Sequence, residues 1–93
     1  MDLTFEWDYN KARENARKHG VTFEEARTVF FDPLAWTAED ISHSTIEDRF
    51  LTIGLSTRGR LLTVISTEYE NTVRIISARR ATPYEREQYE EGV

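Results

Sequence analysis

The stretch RFLTIGLSTRGRLLTVISTEYENTVRIISARR, residues 49–80, decides the fold. Apolar and polar residues alternate through it with a period near two, the pattern of half-buried strands. Two breaks interrupt the alternation. Thr57, Arg58 and Gly59 form one turn, Glu70 and Asn71 the other, and connections this short join antiparallel neighbours. The expected strands are Arg49 to Ser56, Arg60 to Tyr69 and Val73 to Arg80, a β-meander. Gly54, inside the first, marks a bulge or the close approach of another backbone. In the last strand, strict alternation puts Val73, Ile75, Ser77 and Arg79 on one face and Arg74, Ile76, Ala78 and Arg80 on the other. Both faces are apolar in the middle and basic at the ends, as in a strand covered on both sides with its arginines at the rim.

Upstream, the period changes. Asp8 has the chemistry of an N-cap, since its carboxylate can accept the unpaired amide protons of a first helical turn. Tyr9, Ala12, Ala16 and His19 then recur on one helical face, and Gly20 supplies a left-handed stop. Thr22 and Glu25 make a capping box for a second helix with the apolar face Phe23, Ala26, Val29 and Phe30. Asp32 and Pro33 end it. Phe5 to Trp7 reads as a short strand or an extended arm, and Leu34 to Thr37 as a short strand before the polar run from Glu39 to Glu47. At the far end, Thr82, Pro83 and Glu85 combine an N-cap, a proline at the first helical position and a capping glutamate. The expectation is an α+β fold: two N-terminal helices packed on an antiparallel β-meander of three to four strands, with a short C-terminal helix.

Composition narrows the function classes. With 93 residues the chain is expected to be a single domain, residues 1–93, with one modest core. No cysteine is present, which removes disulfides, thiolate catalysis and cysteine-based zinc sites. His19 and His43 have no metal-ligand spacing, so no metal and no cofactor are expected. No run is long and apolar enough to span a bilayer and the start has no signal-peptide pattern, so a cytoplasmic location without membrane contact is expected. The net charge of −5 argues against indiscriminate nucleic-acid binding. Its distribution is uneven: Lys11, Arg13, Arg17 and Lys18 cluster early and Arg74, Arg79 and Arg80 late, while acids gather in 39–48 and 85–91.

Three blocks of residues carry a resemblance. The first is Phe5, Glu6, Trp7 and Asp8, then Lys11, Asn15, Lys18 to Val21, Phe23 to Ala26, Val29, Phe30, Asp32 and Pro33. The second is His43, Ser44, Glu47 and Arg49, with Ile53 and Gly54. The third is Arg74 to Ala81, then Glu85 and Tyr89. In this order and spacing the chain resembles the BrnT toxins over nearly its whole length. That resemblance implies a RelE-like fold and RNA cleavage that stops growth. It also implies a ribbon-helix-helix antitoxin partner, expected as a complex of two toxins and two antitoxins, with DNA reached only through the antitoxin. One departure stands out: Tyr69 follows Thr67 and Glu68 where the family carries a basic residue, exchanging a charge for a stacking surface.

The residues suit such chemistry. In metal-free RNA cleavage the ribose 2′-hydroxyl attacks phosphorus, a base and an acid move protons, and cations stabilise the phosphorane. His43, in a polar segment and with an intrinsic pKa near working pH, is the candidate for proton transfer; the plainer reading is a surface-loop histidine. Glu47 either tunes His43 or pairs with Arg49. Arg49 and Arg79 are the candidate phosphate ligands, with rim salt bridges from Arg79 to Glu85 or Glu87 as the alternative. Lys18, His19, Arg74 and Arg80 are candidate RNA-backbone contacts, although Lys18 and His19 also complement a helix dipole. Tyr69 is a candidate base-stacking residue, whereas Trp7 and Trp36 read as core. The rival reading is a toxin-fold protein without catalysis that serves its antitoxin as partner and corepressor.

Overall fold

The protein is represented by a computed structural model that describes residues 2–40 and 48–92. Strand β1 (Thr4–Glu6) leads into helix α1 (Tyr9–His19) and helix α2 (Phe23–Thr28), which tightens into a single 3-10 turn at Val29–Phe31. Strands β2 (Trp36–Glu39), β3 (Arg49–Leu55), β4 (Leu61–Tyr69) and β5 (Thr72–Arg80) follow, and helix α3 (Pro83–Glu91) ends the chain.

The helix boundaries follow local chemistry. The Asp8 carboxylate accepts from the Lys11 amide at 2.9 Å, and Gly20, at φ 68°, takes the left-handed stop that a β-carbon would strain. Thr22 accepts from the Glu25 amide, and Thr82 and Glu85 form a complete capping box. On α1 the buried stripe is Ala12, Asn15 and Ala16 rather than the expected one: Tyr9 is 72% exposed and His19 lies on the surface. The stripe centres on Asn15 because its amide finds partners inside the protein.

The sheet has five strands in the order β1-β5-β4-β3-β2. The meander from β2 to β5 is antiparallel throughout, as the short turns after β3 and β4 require for those strands. The expected count of three to four antiparallel strands therefore needs correction. Residues 4–6 add a fifth strand, parallel to β5, with Phe5 opposite Val73. Of the short strand or extended arm read at Phe5 to Trp7 the strand is present, but its partner lies far along the chain and leaves no local signal.

A second correction concerns β5. Ile65 pairs with Ser77, but Ser66 pairs with Ile75, so Ile76 is an extra residue, a β-bulge. Side chains directly opposite share a face, so the bulge resets the alternation. Val73, Ile75, Ala78 and Arg80 lie on the helix side, while Arg74, Ser77 and Arg79 lie together on the other. Strict alternation had placed Arg74 and Arg79 on opposite faces.

The core forms between the helix side of the sheet and α1–α2. Val21, Phe23, Ala26 and Val29 pack against Leu62, Val64, Val73, Ile75 and Ala78, each at most 2% exposed. Burying a side chain such as Phe23 or Ile75 contributes roughly 1.5–3 kcal/mol. Trp7, half-buried, meets Phe23 edge-on at 5.9 Å and packs against the core as expected, whereas Trp36, expected there too, lies half-buried on β2 in a cleft beneath α3. Gly54 permits a close approach: a β-carbon there would sit 2.7 Å from Val29 Cγ1. On the opposite face, α3 lies over the β2–β3 end and reaches Thr63 of β4 and Arg79 of β5 through Glu85; among the described residues no other helix covers that face.

Candidate functional site

The open face collects arginines. Thr67 pairs with Arg49 on one side and with Arg74 on the other, and Arg74 pairs with Glu6. Arg49, Thr67 and Arg74 thus form one cross-strand row. At about 4.8 Å per strand, the two arginine backbones stand roughly 10 Å apart. Arg74 Nη1 lies 3.0 Å from the Glu6 carboxylate in an exposed pair. Tyr69, 77% exposed, pairs with Thr72 on the same face at the adjacent strand end.

Arg79 stands further along β5, opposite Thr63. Its guanidinium donates through Nη1 to Glu85 Oε1 at 2.7 Å and through Nη2 to Glu85 Oε2 at 2.8 Å. Glu85 also accepts from Thr63 Oγ1 at 2.8 Å and from the Thr82 amide at 2.9 Å. Burial by itself would raise the Glu85 carboxyl, but the donors Arg79, Thr82 and Thr63 outweigh it and hold the group at about 2. Arg79 is raised in turn, chiefly by the Glu85 hydrogen bond. Of the alternatives that the sequence left open for Arg79, the ion pair with Glu85 is present.

A cleft of about 240 Å³ adjoins this pair, lined by Trp36, Ala38, Leu51 and Ile53 of the sheet and Tyr84, Glu85 and Gln88 of α3. Helix α3 is pinned at its far end by Tyr89, whose hydroxyl donates to Asp32 at 2.8 Å. Burial works against ionisation of Asp32, yet the amides of Leu55 and Leu34 and the Tyr89 hydroxyl keep its pKa lowered.

The other expected site residues divide. His43 and Glu47 lie outside the described residues. Lys18 and His19, exposed at the end of α1, line a separate shallow cleft with Lys11, Asn15, Ile76 and Ser77 around the outer edge of β5. Arg80 is exposed on the helix side of the sheet. The structure therefore brings together Arg49, Arg74, Arg79 and Tyr69 on one face and leaves Lys18, His19 and Arg80 off it. Among the described residues no three or more His, Asp or Glu side chains converge on a point that could hold a metal ion.

Two polar centres have roles that the sequence reading did not give them, and one is a correction: Glu25, expected to close a capping box with Thr22, turns its carboxylate to Arg60 and Ser56 instead, and only the Thr22 side chain caps the helix. Glu25, 5% exposed, accepts from Arg60 Nε at 2.9 Å and Ser56 Oγ at 2.7 Å, and the Arg60 bond above all lowers its pKa. This ties α2 to the β3–β4 turn. A signal was present, because Glu25 borders the apolar face of α2 next to Val29, where an acid needs a partner once buried. Asn15 is the second centre, on the equivalent stripe of α1.

Comparison with known proteins adds to this geometry. The family model described as the ribonuclease toxin BrnT of type II toxin–antitoxin systems matches residues 7–85. The chain belongs to the BrnT family. The crystal structure of the ribonuclease toxin BrnT of Brucella abortus is similar in fold, with a TM-score of 0.65 at 24% identity over 86% of this chain and 97% of that one. No curated protein sequence matches the chain. Membership of a type II toxin–antitoxin family implies an antitoxin as partner. No helix among the described residues is long and apolar enough to cross a membrane. In this BrnT chain the matched segment runs from Trp7 to Glu85, so it contains the whole row Arg49–Thr67–Arg74 and the Arg79–Glu85 pair.

Proposed function

We propose that this BrnT family member is a metal-independent endoribonuclease, a single RelE-like toxin domain acting on RNA in the cytoplasm. The observation that carries the reading is the bulge at Ile76, which sets Arg74 and Arg79 on the same open face as Arg49. Three guanidinium groups on one sheet face, Arg74 exposed and Arg49 and Arg79 half-buried, suit a polyanionic strand, and Tyr69 beside them offers a ring for a base. Arg49 and Arg79 stabilise charge on the phosphorane, Arg74 holds a flanking phosphate, and His43, tuned by Glu47, moves the proton. Lys18, His19 and Arg80 make outlying contacts to the RNA backbone. A ribbon-helix-helix antitoxin covers the open face and brings the complex, two copies of each chain, to DNA.

The test is cleavage of a single-stranded RNA by the purified chain in excess EDTA. Attack by the 2′-hydroxyl leaves a 2′,3′-cyclic phosphate and a 5′-hydroxyl, and both ends are expected on the products. Intact RNA, or cleavage that appears only with added magnesium, overturns the reading.

A second reading keeps the fold and the antitoxin but removes catalysis, leaving a corepressor. It draws on the pairing of Arg74 with Glu6 and Arg79 with Glu85, which neutralises two arginines of the face. Induced expression without antitoxin separates the two, since only the nuclease arrests growth.

A further inference from the structure

Arg79 is held in an unusual division of labour between its edges. A guanidinium carries five N–H groups: two on each Nη and one on Nε. Glu85 meets Arg79 end-on, with Nη1 on Oε1 and Nη2 on Oε2, which takes one hydrogen from each. The second Nη1 hydrogen reaches the Arg80 carbonyl at 3.3 Å. The hydrogens left are those of Nε and the outer side of Nη2. They point the same way, in parallel, and the described residues place no acceptor on Nε. That side edge has the spacing of two phosphate oxygens.

The carboxylate that grips the other edge is itself fixed. Thr63 of β4 and the Thr82 amide bond it, and its side chain is 12% exposed against 39% for Arg79. The carboxylate thus lies within the wall between sheet and α3, and the guanidinium reaches outward from it. We infer that Glu85 is the positioning residue for Arg79: it clamps the end-on edge and leaves the Nε–Nη2 side edge for two oxygens of the substrate phosphate. Pairing with Glu85 and binding of phosphate are then simultaneous, each on its own edge, rather than competing states. This rests on the RNA-cleavage reading above.

The consequence is a split in kinetic constants that a purely structural clamp does not give. Glu85→Gln keeps the size and one acceptor oxygen but loses the charge and the second acceptor, so the fork is free to tilt. At saturating RNA kcat is expected to fall on the order of 10- to 100-fold. KM is expected to stay level or drop, because a negative charge beside the phosphate path is gone. Thr63→Val, which loosens Glu85 without removing its charge, shifts kcat in the same direction by less. A kcat within about twofold of wild type in Glu85→Gln, or a raised KM at unchanged kcat, overturns the inference.

A binding readout separates this from failure of the nuclease reading. An uncleavable 2′-O-methyl RNA oligonucleotide added to nitrogen-15-labelled wild type is expected to shift the Arg79 Nε–H resonance, and to shift it less in Glu85→Gln. A resonance that does not move while the oligonucleotide binds overturns the assignment of the side edge. A wild type that shifts the resonance but cuts no RNA fails as a nuclease and keeps the edge.

Discussion

Asn15 and Ala78 complete each other's hydrogen bonding: the Asn15 carbonyl accepts from the Ala78 amide at 3.1 Å, and its amide donates to the Ala78 carbonyl at 2.8 Å. The same amide donates to the Val21 carbonyl at 3.0 Å. Strand β1 covers β5 from Thr72 to Arg74, and beyond that point the outer edge of β5 has no strand beside it among the described residues. Asn15 stands in for one, closing a backbone edge that would otherwise be buried unpaired.

Asn15→Ala is therefore expected to destabilise the protein by roughly 2–4 kcal/mol, because each buried group left unsatisfied costs about 1–3 kcal/mol. Asn15→Asp should be no better, since the carboxylate cannot donate to Ala78 or Val21 and brings a charge inside. Urea unfolding at neutral pH measures both. A loss below about 1 kcal/mol in Asn15→Ala would show that water replaces the side chain at this edge.

Gly54→Ala should be destabilising for a different reason. Its β-carbon would meet Val29 Cγ1 at 2.7 Å and Ala35 Cβ at 3.2 Å, both in packed surroundings. Overpacking of this kind costs about 1–3 kcal/mol. The double variant Gly54→Ala, Val29→Ala frees the space and should recover part of that loss relative to the sum of the single variants. Additive losses in a thermal melt would place the strain elsewhere.

What was legible in the sequence tracks the range of the interactions. The caps at Asp8, Thr22 and Thr82, the stop at Gly20 and the antiparallel meander are short-range, and each stands where local chemistry put it. Gly54 announced a bulge or the close approach of another backbone; no bulge is present, and what approaches is Val29, through its side chain first. The parallel pairing of β1 with β5 and the bond from Asn15 to Ala78 span more than sixty residues and left no periodicity. The bulge had one faint signal, the adjacent Ile75 and Ile76, two apolar residues in a row where alternation allows one. Missing it put Arg74 and Arg79 on opposite faces, so the residues of the candidate site were named but their arrangement was not.

The carboxyl of Glu85 sets a pH dependence. Its pKa is lowered from an ordinary 4.5 to about 2. For a lowered acid, the stabilisation is fully present above the unfolded value and is lost as pH falls through the folded one. Wild type should thus lose on the order of 2 kcal/mol between about pH 4.5 and pH 2, discounted because Arg79 is partly exposed. Glu85→Gln has no such group. The gap in unfolding free energy between the two proteins should be widest at neutral pH and shrink toward pH 2. A gap that stays constant in urea titrations at pH 7 and pH 3 would mean that the ion pair contributes nothing to stability.

The division of the basic residues between the open face and its surroundings predicts how RNA affinity responds. Arg49, Arg74, Arg79 and Tyr69 share the open face, whereas Lys18, His19 and Arg80 lie beyond it. Tyr69→Ala should weaken binding of a single-stranded RNA by about 1–3 kcal/mol, and Tyr69→Phe should keep most of it, because stacking does not use the hydroxyl. Arg49→Ala and Arg79→Ala should abolish cleavage while the protein still melts cooperatively, and His43→Ala should do the same. Arg74→Ala should chiefly weaken binding and reduce its salt dependence, since a lost phosphate contact lowers the number of ions released. Lys18→Ala and Arg80→Ala should have smaller effects than any of the face residues. Fluorescence anisotropy with an uncleavable oligonucleotide, over a range of salt, ranks them in one experiment. If Lys18→Ala or Arg80→Ala weakens binding more than Arg49→Ala and Tyr69→Ala, RNA runs along the helix side of β5 and the open face is not the site.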